Sequence, residues 1–100
     1  MARLSRLTVP HQMHYVVQRG HGTQPVFVDD QDRAAYLHAL QIAASDHRVS
    51  VHAFVLLDDQ VQWLASPQDT RGLSRAVQAT GQRFVGAFNR RHGLRGTRWE

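Results

Sequence analysis

The stretch VSVHAFVLLDDQVQWLAS, residues 49–66, decides the fold. Residues 49–57 are rich in β-branched and aromatic side chains, and residues 60–65 alternate polar with apolar side chains, as strands do. Asp58 and Asp59 between them favour a tight turn, because an aspartate side chain can bond to its own backbone. The stretch therefore predicts an antiparallel hairpin at the centre of a sheet.

The turn sets the register of this predicted hairpin. With a loop of two residues at Asp58 and Asp59, Val55 lies opposite Gln62, and both glutamines of the second strand point to one side. In this register the glutamine face also carries Val51, Ala53 and Val55, while the other face carries His52, Phe54, Leu56, Val61 and Trp63. Because both faces are apolar, each of them needs a cover.

The remaining chain adds a strand and two helices. Residues 13–19 predict a first strand, and Asp29 and Asp30 predict the start of a helix that runs to residue 47. Asp69 or Thr70 can cap a second helix, which we expect to end before a basic turn at residues 89–96. A short extended piece is expected at residues 26–28. The order of elements predicts one α+β domain over residues 1–100, a ferredoxin-like split βαβ sandwich with an antiparallel sheet and two helices on one face.

Composition narrows the class of protein. One hundred residues with 42% apolar content suffice for one modest core. The chain has no cysteine and no apolar run long enough to cross a membrane. We therefore expect a cytoplasmic protein without a membrane partner.

Charge favours an anionic partner. The basic residues are all arginine, and the formal net charge is +4 with a pI near 11. Arginine binds phosphate with a planar fork, which favours nucleic acid, although a coding bias against lysine accounts for the composition equally well. Residues 1–28 carry a charge of +3, residues 29–68 carry −4 and residues 69–100 carry +5. If the two ends of the chain meet, they form a basic surface.

Five blocks of the sequence carry a resemblance to a known family. They are MARLSRLTVP (1–10), HYVVQRG (14–20), VFVDDQDRAAYLHAL (26–40), VHAFVL (51–56) and GLSRAVQATGQRFVGAFNRRHGLRGTRWE (72–100). In this order and spacing the chain resembles the REP-associated tyrosine transposases, which are bacterial members of the HUH single-tyrosine transposase superfamily. The resemblance covers essentially all 100 residues.

The resemblance implies a nuclease fold, often dimeric, that binds single-stranded DNA able to form hairpins and cuts it with a tyrosine. It also implies Mg²⁺ or Mn²⁺ held by two histidines that flank one hydrophobic residue on a central strand, because residues i and i+2 of a strand point the same way. The matching positions here are Gln60, Val61 and Gln62, so both imidazoles are replaced by amides. A neutral amide oxygen is a weak ligand for such a cation. We therefore expect no metal and no cofactor.

The family nucleophile has no match either. In the family this tyrosine lies beyond the stretch that matches Trp99 and Glu100, so it would fall past residue 100, and the domain would lack the family's C-terminal part. Tyr15 and Tyr36 do not occupy the family's position, and we expect them to pack with their hydroxyls turned to water. The resemblance thus implies a degenerate active site without catalytic residues.

DNA binding is the function that survives these losses. The candidate phosphate contacts fall within the matching blocks, and they are Arg3, Arg6, Arg19, Arg83, Arg90 and Arg91. The predicted function is a transposase-like domain, expected to be a homodimer, that binds single-stranded or hairpin DNA without cutting it. Two alternatives stay open. One is a structural homodimerisation module without a DNA function, and the other is an active nuclease with a metal site rebuilt from Asp58, Asp59 and the glutamines and a tyrosine beyond residue 100.

Overall fold

The computed structural model describes residues 8–22 and 24–100 of the chain. The elements in these residues follow the order β1 (His14–Arg19), α1 (Asp30–Asp46), β2 (Val49–Leu56), β3 (Gln60–Pro67) and α2 (Gly72–His92). The three strands form one antiparallel sheet in the spatial order β1-β3-β2. This arrangement confirms the α+β class, and its topology is compatible with a ferredoxin-like fold.

One strand of the hairpin is central and the other is an edge strand. β3 pairs with β1 on one side and with β2 on the other. Val55 lies opposite Gln62 as predicted, and the amide of Leu57 donates to the carbonyl of Gln60 across the Asp58-Asp59 turn. The hairpin as a whole is therefore not the centre of the sheet, because β2 has a neighbouring strand on one side alone among the described residues.

A β-bulge in β2 corrects the predicted register on the N-terminal side of Ala53. Val51 pairs with Ala65, but Ala53 pairs with Leu64, so His52 is an extra residue in the ladder. One inserted residue moves every side chain before it to the opposite face. Val51 consequently packs against the core instead of beside the glutamines. His52 lies on the glutamine side, where its Nε2 is 2.8 Å from Ser66 Oγ, so its predicted face was wrong.

Both helices cover the same face of the sheet. The alternating buried residues of β3 are Val61, Trp63, Ala65 and Pro67, and they point toward the helices. Three large rings, those of Tyr36, Phe84 and Trp99, meet over this face with their centroids 5.5–6.0 Å apart. The contacts of Tyr36 with Phe84 and with Trp99 are edge-to-face, an arrangement that adds to the free energy gained from burial. The core therefore lies between the helices and this inner face of the sheet.

The start of α1 follows the prediction. Asp29 has extended backbone angles, and its side chain accepts a hydrogen bond from the amide of Asp32 at 3.1 Å. This bond satisfies one of the free amides of the first helical turn. The predicted short extended piece at residues 26–28 forms no strand, although Val26 and Phe27 are buried.

α2 is longer than the sequence predicted. Asp69 Oδ1 accepts hydrogen bonds from the amides of Arg71 and Gly72, which satisfies amides at the helix start. The helix continues through both internal glycines to His92 and ends at Gly93, which adopts the left-handed conformation. Residues 89–92 are thus the last helical turn, not part of a basic turn. Their positive charge suits the negative end of the helix dipole.

The last residues of the chain pair with the end of β1. Trp99 forms an antiparallel bridge with Gly20, and the amide of Glu100 donates to the carbonyl of Arg19. The side chain of Trp99 is buried against α2, where its Nε1 donates to the carbonyl of Gly81. The C-terminal segment therefore meets the N-terminal strand at this edge of the sheet. Among the described residues no helix is both long and apolar enough to cross a membrane.

Candidate nucleic-acid interface

Gln60 and Gln62 point to the outer face of the sheet, away from the helices. They alternate along β3 with the buried residues Val61 and Trp63. Gln60 lies opposite Arg19 of β1, and Gln62 lies between Val17 of β1 and Val55 of β2. The shared direction of the two amides, which the sequence predicted, is therefore present.

A chain of hydrogen bonds joins these glutamines to Tyr15. The hydroxyl of Tyr15 donates to Gln62 Oε1 at 2.6 Å, and Gln62 Nε2 donates to Gln60 Oε1 at 3.1 Å. Each of the two amide oxygens therefore already accepts a hydrogen bond. Within the described ranges there is no group of three or more His, Asp or Glu side chains that could hold a metal ion. A ligand at this site would therefore meet neutral amides beside an aromatic ring.

The surroundings of the amide pair are apolar and open. The ring of Tyr15 is 59% exposed, and Val55 and Leu57 are also exposed on β2 and its turn. A shallow groove of about 280 Å³ runs over Gln62 between Tyr15, Ala53 and Leu64. An open apolar face of this kind is typical of a surface that meets a partner.

The two tyrosines have different environments, and neither hydroxyl is simply turned to water. Tyr36 is completely buried, accepts a hydrogen bond from Trp63 Nε1 and donates to Gln18 Oε1 at 2.8 Å. Burial raises the pKa of the Tyr36 hydroxyl well above its ordinary value. A protonated hydroxyl inside the core cannot attack DNA, so Tyr36 has a structural role.

Three of the predicted phosphate contacts are exposed arginines without an ion pair in the described part of the chain. Arg19 ends β1 on the outer face, beside Gln60. Arg83 and Arg90 lie on α2, seven residues and thus about two turns apart, which places them on one side of the helix. Arg3 and Arg6 lie outside the described residues. The amide of Glu100 donates to the carbonyl of Arg19, so the C-terminal segment meets the end of β1, while the basic surface stays a prediction.

Arg91 is held by carboxylates. Its Nη1 and Nη2 donate to the two oxygens of Asp29 at 2.7 and 2.6 Å, and Nη1 also donates to Asp32 Oδ1 at 2.7 Å. His92 Nε2 lies 2.9 Å from the other oxygen of Asp32. This arrangement ties the last turn of α2 to the first turn of α1. The guanidinium of Arg91 thus has a structural function, and phosphate binding by it stays a prediction.

The pKa values in this cluster follow from the contacts. The hydrogen bond from Arg91 is the main cause that lowers the pKa of Asp29 to about 2. Burial acts to raise the pKa of Asp32, but hydrogen bonds from the Val28 amide, Arg91 and His92 outweigh it, and the net shift is downward. The hydrogen bonds to Asp29 and Asp32 raise the pKa of Arg91. All three groups are consequently charged at neutral pH, and they bind one another.

The sequence did not reveal this cluster, because Arg91 lies about 60 residues from its two carboxylate partners in the chain. From the sequence, Asp29 was expected only to mark the start of a helix, and no partner was expected for Asp32. The buried network of Gln18, Tyr36 and Trp63 was missed as well. The available signal was the polar Gln18, which shares a face of β1 with the buried Val16.

Comparison with known proteins leaves the family of this chain open. No protein-family model matches the chain, and no curated protein is significantly similar to it.

Proposed function

We propose that this chain is a transposase-like DNA-binding domain, which binds single-stranded or hairpin DNA and does not cut it. The observation that carries the proposal is the amide pair Gln60 and Gln62 on the central strand, at the positions where the resembled family has metal-binding histidines. The α+β sandwich around the pair is compatible with the fold that the resemblance implies. The cysteine-free sequence supports a cytoplasmic location for this domain.

Loss of cleavage follows from the chemistry of the amides. In metal-assisted attack on a phosphodiester, the cation polarises the phosphate and stabilises the developing negative charge. A glutamine carbonyl carries no charge, and the carbonyls of Gln60 and Gln62 each accept a hydrogen bond from a neighbour. Binding a cation there would compete with both hydrogen bonds. We therefore expect no cleavage with Mg²⁺ or Mn²⁺.

DNA binding is supported by the exposed arginines. Arg83 and Arg90 share one side of α2, while Arg19 lies at the edge where the C-terminal segment joins β1. Guanidinium groups that contact phosphates displace counterions, so affinity falls as the salt concentration rises. The basic C-terminal third of the chain, with a charge of +5, contains two of these three arginines.

The test is a titration of a fluorescent hairpin with a single-stranded tail, followed by anisotropy at about 50 and about 200 mM salt. We expect binding that weakens at the higher salt concentration. The double variant Arg83→Gln/Arg90→Gln should bind more weakly and with a shallower salt dependence, by roughly 0.7 in the log–log slope for each phosphate that is no longer neutralised. The matched control is Arg48→Gln/Arg75→Gln, which removes two exposed arginines, one between α1 and β2 and one in the first turn of α2.

Three results would contradict the proposal in whole or in part. Absence of binding at the lower salt concentration would remove the DNA-binding function. Nicking of the labelled strand on addition of Mn²⁺ would instead support the active nuclease that the sequence left open. Equal losses of affinity in the two double variants would mean that the DNA does not bind on the side of α2 that carries Arg83 and Arg90.

A second candidate is a homodimerisation module, which the open sheet supports. Phe54 on the edge strand β2 is 52% exposed, and Tyr15, Val55 and Leu57 are exposed on the sheet and its turn. An exposed apolar edge strand can pair with another chain. Light scattering tests this candidate, because a stable dimer that does not bind the hairpin would favour it over the DNA-binding domain.

A further inference from the structure

A cavity of about 450 Å³ lies beside the second half of α2 and is separate from the outer face of the sheet. Its walls include Gln18 of β1, Gln78, Gln82 and Gly86 of α2, and Trp99 of the C-terminal segment. Its volume lies in the range of small-molecule and cofactor sites. The bridge between Gly20 and Trp99 holds the wall that the C-terminal segment supplies.

The two internal glycines of α2, Gly81 and Gly86, make room for this cavity. A Cβ atom on Gly81 would lie 3.1 Å from Trp99 Nε1 and 3.1 Å from Gln18 Nε2, so a side chain there would press on two of the walls. A Cβ atom on Gly86 would meet Arg90 Nη1 at 3.5 Å, which is ordinary contact. Glycine inside a helix lowers the stability of that helix. In the structure, both glycines line the cavity.

The inside of the cavity combines amides with an aromatic wall. Gln18 is 1% exposed, and its Nε2 has a single acceptor among the described residues, the carbonyl of Val77 at 3.4 Å. That leaves one amide hydrogen of Gln18 without a described partner. Gln78 and Gln82 are four residues apart and lie on one face of α2, so their amides reach the same opening. Each glutamine can both donate and accept, as the edge of a nucleobase does.

The rim of the cavity is positive. The Nη1 atom of Arg90 lies close above Gly86, as the 3.5 Å distance to the position of a Cβ atom there indicates. Arg83 precedes Gly86 by three residues and Arg90 follows it by four, so the three lie on the same side of α2. Neither arginine forms an ion pair with a described residue. A phosphate at the rim would therefore meet the guanidinium of Arg90, and Arg83 lies about two turns earlier on the same side of the helix.

We infer that this cavity receives one base of single-stranded DNA, with the phosphates beside that base held by Arg90 and Arg83. The inference rests on the proposed DNA-binding function and deepens it by naming a site. Amides at the cavity wall form hydrogen bonds with the edge of the base, and Trp99 supplies an apolar contact. The arginines neutralise the charge of the DNA phosphates. A strand of polypeptide along β1 is the competing occupant. A polypeptide strand would contact the apolar wall of the cavity but would not require the positive charge at its rim.

The test fills the cavity without damaging the helix. In the variant Gly86→Leu, a large side chain replaces a glycine that has room for a Cβ atom, and leucine favours helix more than glycine does. The matched control is Ala34→Leu, which places the same side chain on an exposed position of α1. The probes are oligo(dT) and oligo(dA) of about 12 nucleotides with a fluorescein label. Anisotropy gives the affinity, and the indole N–H signals of the two tryptophans report the location.

We expect Gly86→Leu to weaken oligonucleotide binding by about 5- to 150-fold, the range for loss of one stacked base, while Ala34→Leu binds as the natural chain does. In the natural chain the Trp99 indole signal should shift on binding, and the signal of the core residue Trp63 should not. The variant Gln82→Met should change the ratio of the affinities for oligo(dT) and oligo(dA), since it replaces an amide with an apolar group of similar size.

The outcomes distinguish failure of the proposed DNA-binding function from failure of the proposed base site. If the natural chain binds neither oligonucleotide at low salt, the proposed DNA-binding function fails. If the natural chain binds both while Gly86→Leu binds equally well, the function stands and the cavity is not the site of the base. If Gly86→Leu leaves DNA binding intact but changes a dimer into a monomer in light scattering, the occupant is polypeptide and the inference is overturned.

Discussion

The hydroxyl of Tyr36 is the buried polar group whose removal we expect to cost most. It accepts from Trp63 Nε1 at 3.2 Å and donates to Gln18 Oε1 at 2.8 Å, and all three side chains are buried. The substitution Tyr36→Phe keeps the ring and its packing but leaves the indole N–H and the amide oxygen without this partner. An unsatisfied buried group costs about 1–3 kcal/mol. Taking about 1–2 kcal/mol for each of the two groups, we expect a loss of about 2–4 kcal/mol in the free energy of unfolding.

The assay is equilibrium unfolding in urea, followed by tryptophan fluorescence, since Trp63 and Trp99 are both buried in the folded state. With a slope of about 1 kcal/mol per molar urea, the expected loss moves the midpoint down by roughly 2–4 M. A domain of this size is typically stable by about 5–15 kcal/mol, so the variant should still fold at low urea concentration.

The control is the other tyrosine. Tyr15→Phe also removes a hydroxyl that donates to a glutamine, but the Tyr15 ring is 59% exposed and water can replace its hydrogen bond. We expect Tyr15→Phe to change the free energy of unfolding by no more than about 0.5 kcal/mol. Equal midpoints for the two variants would refute the reasoning, because they would mean that the buried network contributes nothing beyond a surface hydrogen bond.

Three further predictions concern the acidic cluster, the amide pair and the helix glycines. The pKa of Asp29 falls from the usual 3.8 to about 2 in the folded chain, so the unfolded chain binds more protons and stability is lost as the pH falls through this window. In the variant Arg91→Met, the free energy of unfolding measured in urea titrations should fall less steeply as the pH is lowered. Arg90→Met removes no ion pair between described residues and should keep the pH dependence of the natural chain. The variant Gln60→His/Gln62→His places two imidazoles on one face of β3 and should bind Zn²⁺ at least about tenfold more tightly than the single variant Gln62→His in calorimetry; equal affinities would mean that the two side chains do not converge. Gly86→Ala should raise the free energy of unfolding by about 0.5–1 kcal/mol, and Gly81→Ala should gain less or lose stability because its methyl group crowds Trp99; a gain at Gly81 as large as at Gly86 would contradict the crowding.

Much of the fold was predictable because it follows from local patterns. The period-two alternation of residues 60–65 placed Gln60 and Gln62 on one face, and the aspartates at the start of α1 marked its first turn. The β-bulge was not predictable, because His52 carries no local signal of an extra residue. The bulge places Val51 in the core and His52 on the outer face. A prediction from strand periodicity assumes an uninterrupted ladder, so it cannot locate an inserted residue.

The candidate site divides in the same way. The sequence placed Arg83 on a helix and Arg90 in a basic turn after it. It could not tell either of them from Arg91, which binds Asp29 and Asp32 from a distant part of the chain. Nothing in the sequence indicated which residues Trp99 contacts. The bridge between Trp99 and Gly20, which is a long-range contact, brings Trp99 to its neighbours.

By itself, the sequence determined most of the secondary structure, the excess of arginine and the position of two amides on one face of a strand. These properties depend on residue identity and on the repeat of the backbone, which act over a few residues. The tertiary structure alone decided which arginines stay available, where the C-terminal segment meets β1 and that α2 leaves a cavity lined by amides. Those properties depend on contacts between residues far apart in the chain, and no local pattern records them.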